Sequence, residues 1–291
     1  MSSETQAAHS ASTPTLPKRS LGQTGQAVTL FGLGGEGVLR TYDRTAEAVR
    51  VIHRALDHGV NYCDTAPAYA GSMDYYGAAL GERRSEIFLA SKTHERTRDG
   101  SLRLLDSSLQ RLRTEHLDLW QLHDLRTQAD LVRIFGKGGA LEALVQAREE
   151  GRVRFLGLTG HHDPAILLDA MRRFPFDTVL VALNAADVHR LSFISTVLAE
   201  AAQRSMGVIG MKVYAQGTLL GREKLTADEA LGYVLSLPGV STVVVGCSTL
   251  AEVDDNVRIV RQFSAFDASC LHALEARTQR YAAACTAYKK S

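Results

Sequence analysis

The sequence predicts an α/β chain closed into a (β/α)8 TIM barrel, with an N-terminal β-hairpin and a C-terminal helical tail. Three observations carry that prediction. Eight short, nearly continuous apolar runs begin at Phe31, and each is followed by a segment with helical spacing. Strands that are apolar throughout belong to parallel sheets covered by helices on both faces. A length of 291 residues accommodates eight such units in one large domain. A doubly wound sheet expects a glycine fingerprint after its first strand and an acid about twenty residues later. Gly32-x-Gly34-x-x-Gly37 matches the glycines, but one such motif weighs little against eight repeats.

In chain order, Met1 to Pro14 is rich in Ser, Thr and Ala and has no apolar core, so residues 1–15 read as a disordered leader, not a secretory signal. Residues 16–291 then form a single barrel. Arg19-Ser20-Leu21 and Val28-Thr29-Leu30 flank Gly22-Gln23-Thr24-Gly25-Gln26, a hairpin with a glycine turn. Phe31-Gly32-Leu33 opens the barrel and runs into the glycine-rich stretch Gly34-Gly35-Glu36-Gly37. Helices over 45–58, 72–80, 100–113 and 139–150 alternate with strands over 60–63, 87–91, 117–122 and 153–158. Asp163 caps a helix with Pro164 in its first turn, leading into the strand 178–183. Helices over 192–204, 227–236 and 250–262 surround the last two strands, 207–211 and 241–245. The residues after about 265 form a helically spaced tail able to cover one end.

Composition removes several function classes. Lys plus Arg number 33 against 32 for Asp plus Glu, a net charge of +1, which leaves no footprint for nucleic acid or an anionic membrane. No apolar run is long enough for a membrane span. Cys63, Cys247, Cys270 and Cys285 are scattered, against a disulfide framework, a structural zinc or an iron–sulfur cluster, and the expected compartment is the reducing cytoplasm.

Barrel chemistry collects where strands end. Three consecutive apolar strands end in Asp64, Lys92 and His123, and Tyr69 follows on the loop Thr65-Ala66-Pro67-Ala68. Neighbouring strands lie roughly 5 Å apart, so these side chains can converge. A tyrosine with a pKa of about 10 is a sluggish acid, and an adjacent ammonium lowers that pKa towards working pH. Asp64 can keep Lys92 charged, and His123 can donate to a carbonyl oxygen or share the tyrosine proton. Reducing a carbonyl needs that help at oxygen while a hydride reaches carbon. Singly, each residue reads as a cap, a surface lysine or a core histidine; together on successive strand ends they read as a site.

These residues resemble the aldo-keto reductase superfamily over about 19–263. The resemblance rests on Arg-x-Leu-Gly-x-Thr-Gly at 19–25, on Gly59-Val60-Asn61-Tyr62-Cys63-Asp64-Thr65-Ala66-Pro67-Ala68-Tyr69, on Ala90-Ser91-Lys92 and on Leu117-Asp118-Leu119-Trp120-Gln121-Leu122-His123. Met211-Lys212-Val213 and Gly246-Cys247-Ser248-Thr249 are similar to a subgroup sometimes fused to a ferredoxin-like domain, which the scattered cysteines exclude here. The resemblance implies an NAD(P)-dependent oxidoreductase interconverting a carbonyl (aldehyde, ketone or sugar) and an alcohol, with Tyr69 as general acid, Lys92 and Asp64 tuning it, and His123 orienting the carbonyl. It also implies carboxamide contacts from Thr159, Gly160, His161 and Asn184, with Met211 standing where an aromatic ring commonly stacks on the nicotinamide. Gly35 and Glu36 would line the cofactor site, and backbone from Lys212 through Gly217 to Leu219 would meet the pyrophosphate. Beyond the last strand, Gly246, Ser248, Glu252 and Asn256 would meet the adenosine end. Glu252 stands where relatives carry a basic partner for the 2′-phosphate. Family habit thus implies NADPH, whereas Glu252 suggests NADH or dual use.

Other features are bland. His161-His162-Asp163 reads as a loop and a cap with no metal, because adjacent side chains point in different directions. Specificity is expected from rim loops at 36–42, 94–98 and 125–138, where Phe135 and basic residues suit a polar carbonyl, and from the tail. The competing functions are a barrel that binds the cofactor as a redox sensor without turnover, and a metal-dependent hydrolase.

Overall fold

The computed structural model describes residues 15–289, so the expected leader, Thr15 apart, lies outside the described residues. Strands β1 (Lys18–Ser20) and β2 (Ala27–Thr29) pair antiparallel as the expected hairpin. The chain then alternates through β3 (Phe31–Gly37), α1 (Thr45–Asp57), β4 (Tyr62–Asp64), α2 (Ser72–Ala79), β5 (Phe88–Thr93), α3 (Arg98–Leu112) and β6 (Leu117–Leu122). It continues through α4 (Gln128–Phe135), α5 (Ala140–Glu149), β7 (Val153–Gly160), α6 (Pro164–Arg173), β8 (Thr178–Ala182) and α7 (Val197–Gln203). The rest is β9 (Gly207–Met211), α8 (Ala227–Ser236), β10 (Val240–Cys247), α9 (Leu250–Arg261), α10 (Ala268–Thr278) and α11 (Ala282–Cys285). β3 to β10 form a closed parallel barrel, with β10 returning to pair with β3. Among the described residues no helix is long and apolar enough to cross a membrane.

Side chains alternate across each strand, and in a barrel that separates a lumen from a helix-facing layer. Tyr62, Phe88, Ala90, Leu119, Leu180 and Ile209 form the lumen cluster, against which Phe155 packs. Tyr62, Phe88 and Phe155 stack near the strand starts at ring distances of 5.6 and 6.0 Å. Leu21 and Val28 of the hairpin join the same cluster, so the hairpin seals the N-terminal end. Two residues further along β4, β5 and β6, the same face carries Asp64, Lys92 and Gln121. The floor of the lumen is therefore apolar and its mouth polar. Trp120, one position out of phase, packs in the outer cluster with the helices.

The glycine-rich run is the second half of β3, and β10 pairs alongside it as far as Gly37. Three local expectations change. The segment 125–138 contains a helix, α4, fastened by a reciprocal box in which Thr127 accepts from the Asp130 N–H and Asp130 from the Thr127 N–H. An aspartate at that position shortens the usual glutamate signal. Phe135 packs against the core with the Arg173 guanidinium 5.5 Å over its ring, so it does not line the rim. Helix α7 begins at Val197 instead of Ser192, because Ser192 and Ile194 are turned onto Asp187: the Ser192 hydroxyl and the Ile194 N–H both donate to Asp187 Oδ2, at 2.7 and 2.9 Å.

Asp187 also anchors the tail. Lys289 donates to its Oδ1, and to the carbonyls of Asp187 (3.2 Å) and Arg190 (2.7 Å), with both charged side chains fully buried. This places the end of the tail over the C-terminal mouth of the barrel. Removing one partner of a buried pair strands the other charge, which costs about 3–5 kcal/mol. Lys289→Met should lower the urea midpoint accordingly; an unchanged midpoint would show that the pair does not hold the tail.

Candidate active site

The polar mouth follows from strand register. Asp64 ends β4 opposite Ala90, and Lys92 lies opposite Gln121. Lys92 Nζ donates to Asp64 Oδ1 and to the Thr65 carbonyl at 2.9 Å. Gln121 Nε2 approaches the other oxygen of Asp64 at 3.4 Å. Lys92 and Asp64 are 1% and 2% exposed, so this is a desolvated ion pair. Tyr69 lies above it, its ring centroid 4.7 Å from Lys92 Nζ, and His123 meets the ring edge-on at 5.7 Å. The three residues expected at successive strand ends and the loop residue Tyr69 are thus brought together.

Gly35 makes room for this cluster. A Cβ there would lie 2.7 Å from Tyr69 Cδ2 and 3.0 Å from the Asp64 carbonyl oxygen, so any side chain would displace the ring. The turn carrying Tyr69 is fixed by a Thr65–Ser72 hydroxyl pair at 2.8 Å and by the Tyr69 N–H donating to the Ala66 carbonyl at 3.0 Å.

Electrostatics departs from the expected tuning in one respect. Burial pushes the Tyr69 phenol above its ordinary value, and Lys92 draws it back only in part, so the expected lowering towards working pH is not found in this structure. Burial pulls the Lys92 pKa down, but Asp64 and then Tyr69 more than offset that and raise it. The ammonium keeps its charge. Burial raises the Asp64 carboxyl while Lys92 opposes it. Burial, then Lys92 and neighbouring cationic groups, lower the His123 imidazole to about 2, so it is a neutral ring with one N–H to donate.

The residues expected at the cofactor fall into three groups. Thr159, Gly160, His161, Asn184, Met211 and Lys212 lie at or just beyond the ends of β7, β8 and β9. The Thr159 hydroxyl oxygen accepts from the Asp124 N–H at 3.0 Å. Asn184 donates to the Lys212 carbonyl at 3.2 Å and to the Tyr288 hydroxyl at 3.1 Å, while its oxygen accepts from the Ala186 N–H. Tyr288, from the tail, meets His161 edge-on at 5.7 Å and lies 5.2 Å from Lys212 Nζ. Between Lys212 and Leu219, Gly217 has a positive φ of 85°. The Leu219 side chain, however, is core, and its N–H donates to the Tyr214 carbonyl.

The second group is Glu36 and Gly246. Gly246 lets β10 pass Glu36, whose Cβ would lie 2.5 Å from a Cβ at 246, and Glu36 pairs with Arg40 at 2.7 Å. The third group opens α9. Glu252 takes the Ser248 N–H at 2.7 Å, and Thr249 caps the helix by accepting from the Glu252 N–H at 3.2 Å. Asn256 is buried, accepting from the Tyr214 hydroxyl at 2.6 Å and donating to the Glu252 carbonyl at 2.7 Å. Its amide therefore braces Tyr214 and is not free at the surface.

Asp163 caps α6 as expected, accepting from the Ala165 N–H at 2.9 Å. The preceding histidines differ from expectation: the rings of His161 and His162 lie side by side, 4.7 Å apart and tilted by 31°. The bend of the chain leaving β7 overrides the usual divergence of adjacent side chains. Sequence reading also missed three residues. Gln121 was reachable by counting two back from His123 along the lumen face. Arg96, which donates to the carbonyls of His123 (2.9 Å) and Asp124 (3.0 Å), and Tyr288 arrive from distant segments with no periodic signal.

The fold and site together are a closed parallel barrel with a buried Asp–Lys pair under a tyrosine at its C-terminal mouth. The chain belongs to the aldo/keto reductase family, whose model matches residues 30–230. It is therefore an oxidoreductase of a family that works on small molecules with a nicotinamide cofactor. It is 26% identical to L-galactose dehydrogenase of Arabidopsis thaliana, covering 84% of this chain and 88% of the relative. It is 28% identical to pyridoxal 4-dehydrogenase of Microbacterium luteolum, covering 69% and 72%. The fold matches an aldo/keto reductase from Klebsiella pneumoniae solved with NADP and acetate, at a TM-score of 0.74, 23% identity and coverage of 87% and 92%.

A neutral His123 has a stability consequence. Its folded pKa of about 2 lies below the unfolded value of about 6.5, so the unfolded chain binds the extra proton first. Stability is therefore lost as pH falls below about 6.5, by up to about 1.4 kcal/mol per pH unit from this residue. Urea unfolding between pH 6.5 and 4.5 should show a shallower acid slope in His123→Gln; equal slopes would mean that His123 is not held neutral.

Proposed function

We propose that the chain interconverts a carbonyl and an alcohol on a small polar molecule, with Tyr69 exchanging the proton at the substrate oxygen. The convergence of Tyr69 with Lys92, Asp64 and His123 carries this reading. When bound, the nicotinamide supplies or takes the hydride at the substrate carbon. Tyr69, held protonated by burial, donates to the oxygen as charge develops there. Lys92, kept cationic by Asp64 and the Thr65 carbonyl, stabilises the phenolate that remains. The neutral His123 has an N–H to offer the same oxygen. Thr159, His161 and Asn184 offer partners for a carboxamide, and the Asn184 donor now on Tyr288 is one a carboxamide oxygen can accept. The sugar and aldehyde named in the two dehydrogenase relatives define the first substrates to try.

At the adenosine end, the Glu252 carboxylate occupies the helix start that an anionic 2′-phosphate would approach. This supports NADH over NADPH.

Tyr69→Phe should lower kcat by about 10²–10⁴-fold, the range for losing a positioned proton donor, with dinucleotide affinity unchanged by calorimetry. Equal loss of both would make Tyr69 structural. Saturable dinucleotide binding with no turnover on a broad aldehyde, ketone and sugar panel would replace catalysis with the redox-sensing reading. Glu252→Arg should shift the NADPH-to-NADH affinity ratio about tenfold or more towards NADPH, the worth of a charge-assisted contact. An unmoved ratio would place Glu252 away from the phosphate.

A further inference from the structure

The side-by-side rings of His161 and His162 face a third potential ligand, Asp124, which follows His123 at the end of β6. One ligand atom from each of the three lies within 4.8 Å of the others. Asp124 Oδ1 and His161 Nε2 are 3.3 Å apart, yet Oδ1 is buried with no hydrogen-bond partner. That separation, without the alignment of a hydrogen bond, is the spacing of two ligands on one centre. For metal–ligand bonds of about 2.1 Å, a tetrahedral edge is about 3.4 Å. The other Asp124 oxygen accepts from Arg126 Nε at 2.7 Å, the kind of outer contact that orients a ligating carboxylate. Asp124 itself has a φ of 55°, a left-handed conformation held by its N–H on Thr159 and by Arg96 on its carbonyl. The backbone is thus turned to aim this carboxylate at the histidine pair.

From this cluster we propose that Asp124, His161 and His162 form a binding site for a zinc-type divalent cation at the mouth of the barrel. Two imidazoles and one carboxylate suit such an ion and leave a fourth position open. An imidazole of ordinary pKa, about 6.5, is mostly neutral at pH 7 and able to ligate. Lys212 and Arg126 are the nearby positive charges, and they set the site apart from a high-affinity structural zinc. The site also has a consequence that rests on the proposed carboxamide role of His161: a bound cation takes that ring, so cation and dinucleotide compete.

Cobalt(II) is the probe, titrated into the full chain without an affinity tag and followed by its visible ligand-field absorption. About one equivalent should give an intense band of the low-coordinate type, discharged by zinc. His162→Ala should weaken cobalt binding tenfold or more with an unchanged circular dichroism spectrum, and Asp124→Asn should do the same. No saturable band, or a band that both variants leave untouched, would overturn the site. In the second arm, dinucleotide affinity measured by calorimetry should fall about tenfold with zinc in the wild type but not in His162→Ala. Unchanged affinity in zinc-loaded wild type would overturn the competition. Failure of the metal-free chain to bind dinucleotide would instead overturn the functional reading, leaving the cobalt result to stand by itself.

Discussion

A charge buried in a barrel must be met from every side, and the mouth of this barrel is organised around meeting one. Lys92 is 1% exposed, and an isolated ammonium at that depth would lose its proton or unfold its surroundings. It is held by Asp64 and by the Thr65 carbonyl, and its remaining side faces the Tyr69 ring. Each partner imposes a further condition. Asp64 needs Gln121 at its second oxygen, Thr65 needs the turn that Ser72 pins, and Tyr69 needs the space that Gly35 leaves empty. The arrangement of β3 to β6 at their C-terminal ends is the set of positions that satisfies these conditions together.

The same charge accounts for the state of the neighbouring rings. Lys92 works with burial on His123, both favouring the neutral imidazole, and against burial on Tyr69. For the phenol, burial wins: the proton stays until something removes it. In the proposed reaction a substrate oxygen gaining negative charge is such a group, and the ammonium would stabilise the phenolate more than it stabilised the phenol. Under that proposal the tuning expected from sequence belongs to the transition state and not to the resting protein, because desolvation penalises a free phenolate and a paired one far less.

Much of this was legible in the chain. The eight apolar runs are strands because both faces of each are covered, and Asp64, Lys92 and His123 stand where those runs break. Pairwise features with short reach, such as the Asp163 cap, were equally readable. What was not readable depends on contacts that carry no period. Helix α4 hangs on an Asp130 that completes its capping box, and α7 starts late because Asp187 draws Ser192 and Ile194 away from it. Tyr288 reaches Asn184 across 104 residues of chain. The His161–His162 pair was misread because divergence of adjacent side chains holds for extended backbone, and the chain leaves β7 in a bend.

That bend concentrates three demands on one small region. Thr159 supports the Asp124 backbone, Asp124 faces His161, and His161 touches the tail through Tyr288. The tail in turn is fixed by Lys289 on Asp187, a pair formed just beyond β8 and close in sequence to Asn184. The Asn184 donor is therefore covered by the Tyr288 hydroxyl, and the Lys289–Asp187 pair fixes the chain one residue further on, so the tail and the ends of β7 and β8 constrain one another through two side chains that lie side by side in sequence.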